Sequence, residues 1–403
     1  MAPRRKHIAM AEPIIRSLLD TDLYKFTCGY AYFSLFPRAN GEFHFQDRDG
    51  IKFPEGFDVL LREQLLMMES LALTREEELF LREELPYLPP TYIDFLRGYR
   101  FDSREVEVSL HDGSLGIVAR GPLYRVTLWE IPILATVSEL YFRLTGQRVD
   151  AEYLASAARE KAQIMEDHGL RVSIFGARRR FSWAVEAEVT RILKENCPHS
   201  LFGTSNLYFA LREHLKPAGT HPHEWVQFHG AVYGYKMANY MSMEDWIRVY
   251  DGDLGTVLAD TYTTDVFLKN LSKKHAALFT SVRQDSGDPF SFADKVIARY
   301  QELRIDPMLK YIVFSDALTI PKAVKIQDYC RGRIGSTFGI GTNLTNDVAP
   351  GVRPLNIVMK LYRCQLTSSQ PWYNCVKLSD VPGKHIGCPE EIQLALSTLN
   401  IVS

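Results

Sequence analysis

Residues 219–225 read GTHPHEW, placing two imidazoles and a carboxylate within four positions behind a Gly-Thr pair. Such a set can ligate a metal, carry a proton or a phosphoryl group, or simply pack. An H-x-H pair on a barrel strand, joined by Asp316 of FSDAL, would suit a metal-dependent hydrolase. The spacing is not H-E-x-x-H, however, and His229 follows His223 at six, off the face of a helix. A single functional histidine, with Glu224 orienting its ring, is the more economical reading.

RQDSGDP (283–289) gathers an arginine, two carboxylates, a hydroxyl and a glycine into seven residues. Asp285 and Asp288 suit ribose hydroxyls or a Mg2+-bound phosphate, because Mg2+ takes few carboxylates and keeps substrate oxygens. Arg283 offers a planar fork to an anionic ligand. The same stretch also reads as a capped helix start, with Asp288 as cap and Pro289 as first helical residue. FGARRR (175–180) puts three arginines where a helix should begin, against its dipole, which favours an oxyanion partner for them. FGTSN (202–206) and FGIGTNLTND (338–347) are loops whose freed N–H groups can cradle phosphate. The second is neither G-x-x-x-x-G-K-[ST] nor a full G-x-G-x-x-G, since Leu344 stands at the third glycine.

These segments recur at one kind of place. From about residue 131 the chain repeats a unit of apolar strand, polar stop and helix: RVSIF before GARRR, LGTVLAD before TYTTD, ALFTSVRQ before DSGDP, KYIVFS before DALTIP. Strand and helix in alternation argue for parallel strands, whose C-terminal ends hold ligands in barrels and open sheets alike. Loaded strand ends recur too often for one switch point, so the fold class expected is α/β, with an irregular, eight-fold (β/α) barrel over residues 131–359. Residues 1–130 mix helix and strand. GEFHFQDR (41–48) alternates, residues 57–88 read as two amphipathic helices, and residues 105–121 as a hairpin turning at HDGS. A mixed α+β sandwich domain is expected there, joined by the C-terminal segment 360–403, which ends in a helix.

With 403 residues, 46% hydrophobic and 24% charged, the chain can bury a large core. A formal charge of −2 gives no pull toward nucleic acid or acidic membranes, and no apolar run is long enough to span a bilayer. The basic start MAPRRKHIAMAEP lacks the apolar run of a secretory signal and reads as a disordered leader. Six scattered cysteines without a C-x-x-C pair suit reduced thiols. A cytoplasmic location is expected, with nuclear presence left open.

Taken in order, SLLDTDLYK (17–25), FGARRRFS, LFGTSN, GTHPHEW, DTYTTDVFL, VRQDSGDP, FSDAL, TFGIGTNLTND, PLNIVMKL and VKLSDVPGK (376–384) resemble the motifs of nicotinate phosphoribosyltransferases of the bacterial and fungal type, over nearly the whole chain. The resemblance implies a type II phosphoribosyltransferase moving the phosphoribosyl group of phosphoribosyl pyrophosphate onto nicotinate, in NAD salvage. It also implies ATP hydrolysis coupled through a phosphohistidine, and Mg2+ accompanying the phosphates, with no metal ligand assigned to a protein side chain. His223 then matches the phosphohistidine, while His221 falls at a variable position. Tyr24 and Phe175 match the rings on either face of the pyridine, with Thr220 and Arg283 beside it. Asp285 matches a ribose contact, and Gly339, Gly341 and Thr342 the phosphate cradle. Arg178, Arg179, Ser286, Gly287, Asp288, Lys377 and Lys384 are implied as contacts to the phosphates. In related enzymes the tyrosine comes from the neighbouring subunit, which implies a homodimer with a composite site.

Other readings stay open on the residues themselves. A nicotinamide phosphoribosyltransferase would differ only in the charge of the substituent it accepts. A metal-dependent barrel hydrolase would use His221, His223 and Asp316. A catalytically dead barrel would keep the fold as a binding module.

Overall fold

The computed structural model describes residues 12–381 and 384–401, so the basic leader, but for Glu12 and Pro13, lies outside the described residues. Alternation along GEFHFQDR forms β1 (Asn40–Asp47), and the two runs flanking HDGS form β2 (Val106–His111) and β3 (Ser114–Pro122). Asp112 and Gly113 at that turn both have positive φ, 50° and 78°, which is what a two-residue primed hairpin needs. The repeated unit of the middle region supplies β4 (Val172–Ile174), β5 (Leu201–Thr204), β6 (Lys216–Pro217), β7 (Thr256–Leu258), β8 (Ser281–Gln284), β9 (Tyr311–Phe314) and β10 (Gly335–Ile340). β11 (Ile357–Gln365) and β12 (Tyr373–Asn374) follow.

Two sheets result. β6-β5-β4-β10-β9-β8-β7 is wholly parallel, and β12-β11-β1-β3-β2 is antiparallel. The parallel sheet is an irregular α/β barrel with seven strands among the described residues, not eight. Its two edges approach where the His221 amide, just past β6, donates to the Thr256 carbonyl of β7 at 3.0 Å. GTHPHEW therefore lies in the seam of the barrel, at the carboxyl end where ligands bind. β11 carries the chain back to pair antiparallel with β1, setting Lys360 opposite His44 and Met359 opposite Phe45.

The segment before the first helix (Leu23–Leu35) is pinned to the barrel. Asp22 forms a β-bridge with Asn206, the Leu23 amide donates to the Ser205 carbonyl, and Arg180 pairs with Asp20 at 2.7 Å, all of them buried. One continuous apolar core, from Phe26 and Phe43 to Ile174 and Val282, unites the sheets. No helix among the described residues is long and apolar enough to cross a membrane.

Candidate active site

A cavity of about 980 Å3, counting its open mouth, sits over the carboxyl end of the barrel and under the antiparallel sheet. Its wall brings together Tyr24, Phe175, Arg178, Arg179, Thr220, His223, Glu224, Arg283, Asp285, Gly339, Gly341 and Thr342 from among the residues singled out in the sequence. Tyr24 reaches it from the same chain, because the pinned segment before it holds the start of its helix against β5. The tyrosine in this wall is thus the chain's own, whereas the resemblance implied one from a neighbouring subunit.

Arg283 leaves the end of β8 and is fixed at three points. Its Nε donates to Ser315 Oγ, its Nη1 to Thr220 Oγ1 and its Nη2 to Asp285 Oδ1, each at 2.8 Å. A guanidinium has five N–H donors, so two remain for a ligand. Its carbon lies 5.7 Å from the centre of the Phe175 ring. Burial is the largest influence and works against ionised Asp285, but Arg283, His223 and Lys377 together outweigh it and hold the carboxyl well below the usual carboxylate range.

His223 opens the helix His223–Tyr233, its side chain buried. Nδ1 lies 3.0 Å from Thr261 Oγ1, while Nε2 lies 3.0 Å from Lys377 Nζ, 3.1 Å from Asp285 Oδ2 and 3.6 Å from Asp260 Oδ1. Burial, with Lys377 second, pushes its pKa down to about 4. Nε2 thus faces both an ammonium, which can only donate, and a carboxylate, which can only accept; with Lys377 as its donor, Nε2 presents a lone pair and the ring proton sits on Nδ1 toward Thr261. Glu224 does not orient this ring. Its carboxylate turns away to Lys25 and to the Thr127 hydroxyl, and Thr261 and Lys377 take the orienting role instead.

The arginine run divides. Arg178 and Arg179 line the cavity from a short 3-10 turn (Ala177–Arg179), and the helix proper begins only at Trp183, capped by Ser182. The arginines therefore do not oppose its dipole, as the sequence had suggested. Burial, Arg178 and Arg48 together bring Arg179 down to about 10, the mark of a crowded cationic wall. Arg180 faces the other way, fully buried between Asp20 and Glu186. The cradle glycines serve packing first. A Cβ on Gly339 would stand 2.4 Å from the Phe175 ring, and one on Gly341 3.1 Å from the Phe175 carbonyl. Thr345 and Asn346 stitch this loop to the arginine turn, donating to the carbonyls of Gly176 at 3.0 Å and Arg179 at 2.7 Å.

Several expected contacts lie elsewhere. Ser286 donates to Asp260 Oδ2 at 2.7 Å, and Asp288 caps the helix Pro289–Glu302 through the Ser291 amide. With Gly287 they line a separate cleft beside Asp380 and not this cavity. Lys384 pairs with Asp316 at 3.6 Å, and neither is in the cavity wall. Conversely, Asp22, Glu130, Ser205, Ser315 and Lys360 line it without having been singled out. Asp22, Ser205, Ser315 and Lys360 lie in the quoted segments SLLDTDLYK, FGTSN, FSDAL and PLNIVMKL without having been picked out individually, whereas Glu130 lies in none of them, and proximity in the fold recruits it. Burial lowers Lys360 to about 8, and its Nζ faces Glu130 Oε1 at 3.6 Å.

His223, Asp260 and Asp285 bring three potential ligand atoms within 4.8 Å of one another. Lys377 already stands against His223 Nε2 and 3.4 Å from Asp260, supplying the cation that a zinc ion would otherwise be. His221 is buried edge-on to Trp246 and outside the cavity wall, so His221, His223 and Asp316 do not converge and the hydrolase site is not formed. Asp260 Oδ1, buried and without a hydrogen-bond partner, fits a Mg2+ that keeps most of its ligands from phosphate oxygens.

Aromatic walls, a fixed arginine and a cationic rim at the open end of a parallel barrel define an α/β-barrel enzyme acting on a small anionic aromatic substrate and phosphates. The nicotinate phosphoribosyltransferase (NAPRTase) family profile matches residues 170–396, and the profile of its N-terminal domain matches residues 19–138. The nicotinate phosphoribosyltransferase of Chromohalobacter salexigens is 44% identical over 387 residues, 96% of this chain and 98% of that protein. That of Methanosarcina mazei is 39% identical over 95% of this chain and 97% of its own length. The crystal structure of nicotinate phosphoribosyltransferase from Porphyromonas gingivalis superposes with a TM-score of 0.95 at 62% identity, covering 96% of this chain and all of that one. The Vibrio cholerae structure gives 0.89 at 33% identity, covering 98% and 95%. The chain belongs to the nicotinate phosphoribosyltransferase family.

Proposed function

We propose that this chain joins the ring nitrogen of nicotinate to the ribose of phosphoribosyl pyrophosphate, releasing pyrophosphate, and that ATP hydrolysis drives the transfer through His223. The observation carrying this reading is Arg283, fixed by three hydrogen bonds in a wall shared with Tyr24 and Phe175, with two N–H groups left for a ring carboxylate. The pyridine nitrogen is itself a nucleophile at neutral pH, so catalysis rests on positioning the ring and on balancing charge. As pyrophosphate departs, the ribose becomes positive and the leaving oxygens negative. Asp285 answers the first, and Arg178 and Arg179 the second. Asp260 and Asp285 would hold Mg2+, which supplies neutralising charge to the phosphates.

The neutral His223 Nε2 lone pair is poised to attack the γ-phosphorus of ATP, with ADP leaving on the electron pair of the broken P–O bond. Thr261 keeps the proton on Nδ1, and Lys377 balances the oxygens of the transferred group. The phosphoramidate is then hydrolysed. The nicotinamide alternative is disfavoured because its amide forms no charge-assisted pair with Arg283, a difference of about 1–3 kcal/mol.

Incubation with nicotinate, phosphoribosyl pyrophosphate and Mg2+, with and without ATP, tests the reading. Nicotinate mononucleotide that rises with ATP, with ADP released alongside, is expected. Product indifferent to ATP would keep the transferase and remove the phosphoryl role of His223. Absence of product under both conditions would overturn the proposal.

A further inference from the structure

Lys25 is fully buried, yet its ammonium meets three polar groups from separate elements. It pairs with Glu224 and with Glu130, and donates to Thr127 Oγ1 at 3.2 Å. The Thr127 hydroxyl closes the ring by donating to Glu224 Oε1 at 2.5 Å, and Tyr32 Oη donates to the Glu224 carbonyl at 3.3 Å. Glu130 opens the helix Glu130–Leu144 and shares the cavity wall with Glu224 and Tyr24. Glu130 Oε1 finds no hydrogen bond and faces Lys360. Lys25 itself does not line the cavity.

The placement of this ring in the chain is what matters. Lys25 directly follows Tyr24, and Glu224 directly follows His223. The helix carrying the aromatic wall and the helix carrying the histidine are thus tied at their first turns, one residue away from each functional side chain. Stability alone does not call for such a device, since well-packed apolar residues commonly serve as well as a buried ion pair. A directional tie fixes the angle between two helix starts, which apolar packing does less sharply.

Building on the transferase reading above, we infer that Lys25 is a positioning residue, bracing Tyr24 and His223 so that the stacking ring and the phosphoryl-accepting histidine keep one mutual geometry. It touches neither substrate. Loss of the tie shifts both helix starts together and leaves the Gly339–Thr342 loop, which is anchored by Thr345 and Asn346, where it was.

The test is Lys25→Met in the full chain, with nicotinate and phosphoribosyl pyrophosphate varied separately and ATP present or absent. The expected result is a nicotinate KM raised about tenfold together with a reduced ATP stimulation, while the KM for phosphoribosyl pyrophosphate stays within about twofold. A purely structural lysine would lower the active fraction and leave all three unchanged, and that outcome in a folded variant overturns the brace. If Lys25→Met does not fold, Thr127→Val keeps both ion pairs while opening the ring, and the same pair of changes is expected at smaller size; no change in either overturns the inference. Hydrogen exchange separates this idea from the activity it builds on. Should the parent fail to turn over nicotinate, the transferase reading falls. The brace then stands if residues 20–28 and 220–228 lose protection together in the variant, and falls if they do not.

Discussion

Lys377 Nζ stands 3.0 Å from His223 Nε2, so the functional lone pair of the histidine is aimed at a fixed cation. The lysine comes from the segment after β12, whereas the histidine opens a helix in the barrel seam. The return of the chain end to the antiparallel sheet is therefore what completes the environment of His223. That environment also contains Thr261, Asp260 and Asp285.

A pH consequence follows from burial and Lys377, which bring His223 to about 4 against the opposing pull of Asp260 and Asp285. The imidazole stays neutral down to that value, so the ATP-stimulated part of the rate is expected to show no acid limb near 6.5, the ordinary histidine range. Lys377→Met removes one lowering influence and should move the limb upward. The sign for stability is the same. Between about 4 and 6.5 the unfolded chain binds more protons than the folded one, so this group's contribution is complete above 6.5 and falls as pH drops toward 4. Rate and unfolding curves from pH 4 to pH 8 check both statements.

Arg283→Lys retains a positive charge but cannot reproduce the three-point tie to Ser315, Thr220 and Asp285. The nicotinate KM is expected to rise about 10- to 100-fold, equivalent to the 1–3 kcal/mol of charge-assisted bonding, with kcat less affected. Preference for nicotinate over nicotinamide should narrow in step. Unchanged discrimination would place carboxylate recognition on another group.

Much of this site was legible because chemistry sits at strand ends, and strand ends can be read from hydrophobic rhythm. RVSIF, ALFTSVRQ and KYIVFS hold β4, β8 and β9, and residues at or just after their ends line the cavity. What escaped reading was direction. GARRR shows three equivalent arginines, yet a 3-10 turn sends two to the cavity and one to Asp20. HEW suggests a Glu-His pair, but on a helix adjacent residues point about 100° apart, so Glu224 cannot face the partner groups of His223. Lys25 and Lys360 looked like an ordinary helix residue and an ordinary strand residue, because their partners are remote in sequence. The eighth strand was expected from the regularity of barrels, and a seam of GTHPHEW stands in its place.

Gly339→Ala tests whether the glycine serves the aromatic wall. The added Cβ would lie 2.4 Å from the Phe175 ring, an overlap that something must relieve. Displacement of that ring into the cavity is expected, with a raised nicotinate KM and a fold preserved by far-ultraviolet circular dichroism. Gly341→Ala meets a backbone carbonyl at 3.1 Å and should be milder at the base site. Equal effects on nicotinate and phosphoribosyl pyrophosphate would return Gly339 to a phosphate role.

Arg180 and its neighbours separate stability from binding. Arg180 is fully buried against Asp20 and Glu186 at 2.7 and 3.0 Å. Truncation to Ala leaves those carboxylates unpaired and is expected to cost about 3–5 kcal/mol of stability. Arg179→Ala, at the partly exposed rim, should leave the unfolding midpoint nearly unchanged and raise the KM for phosphoribosyl pyrophosphate. Denaturant unfolding and steady-state kinetics on the two variants check the division.

The placement of Tyr24 bears on whether a second subunit is required. The Asp22–Asn206 bridge, the Leu23–Ser205 hydrogen bond and the Arg180–Asp20 pair all hold the start of its helix to the chain's own barrel. Complementation distinguishes this arrangement from a shared site. Tyr24→Ala and Arg283→Ala chains, each weakly active, are mixed after unfolding and refolding together. A site built across subunits would place one intact Tyr24 beside one intact Arg283 in some mixed dimers and restore part of the activity. A site built within the chain leaves one defect in every copy, so no restoration is expected. Activity per chain should likewise hold steady on roughly hundredfold dilution, since no association supplies the missing wall.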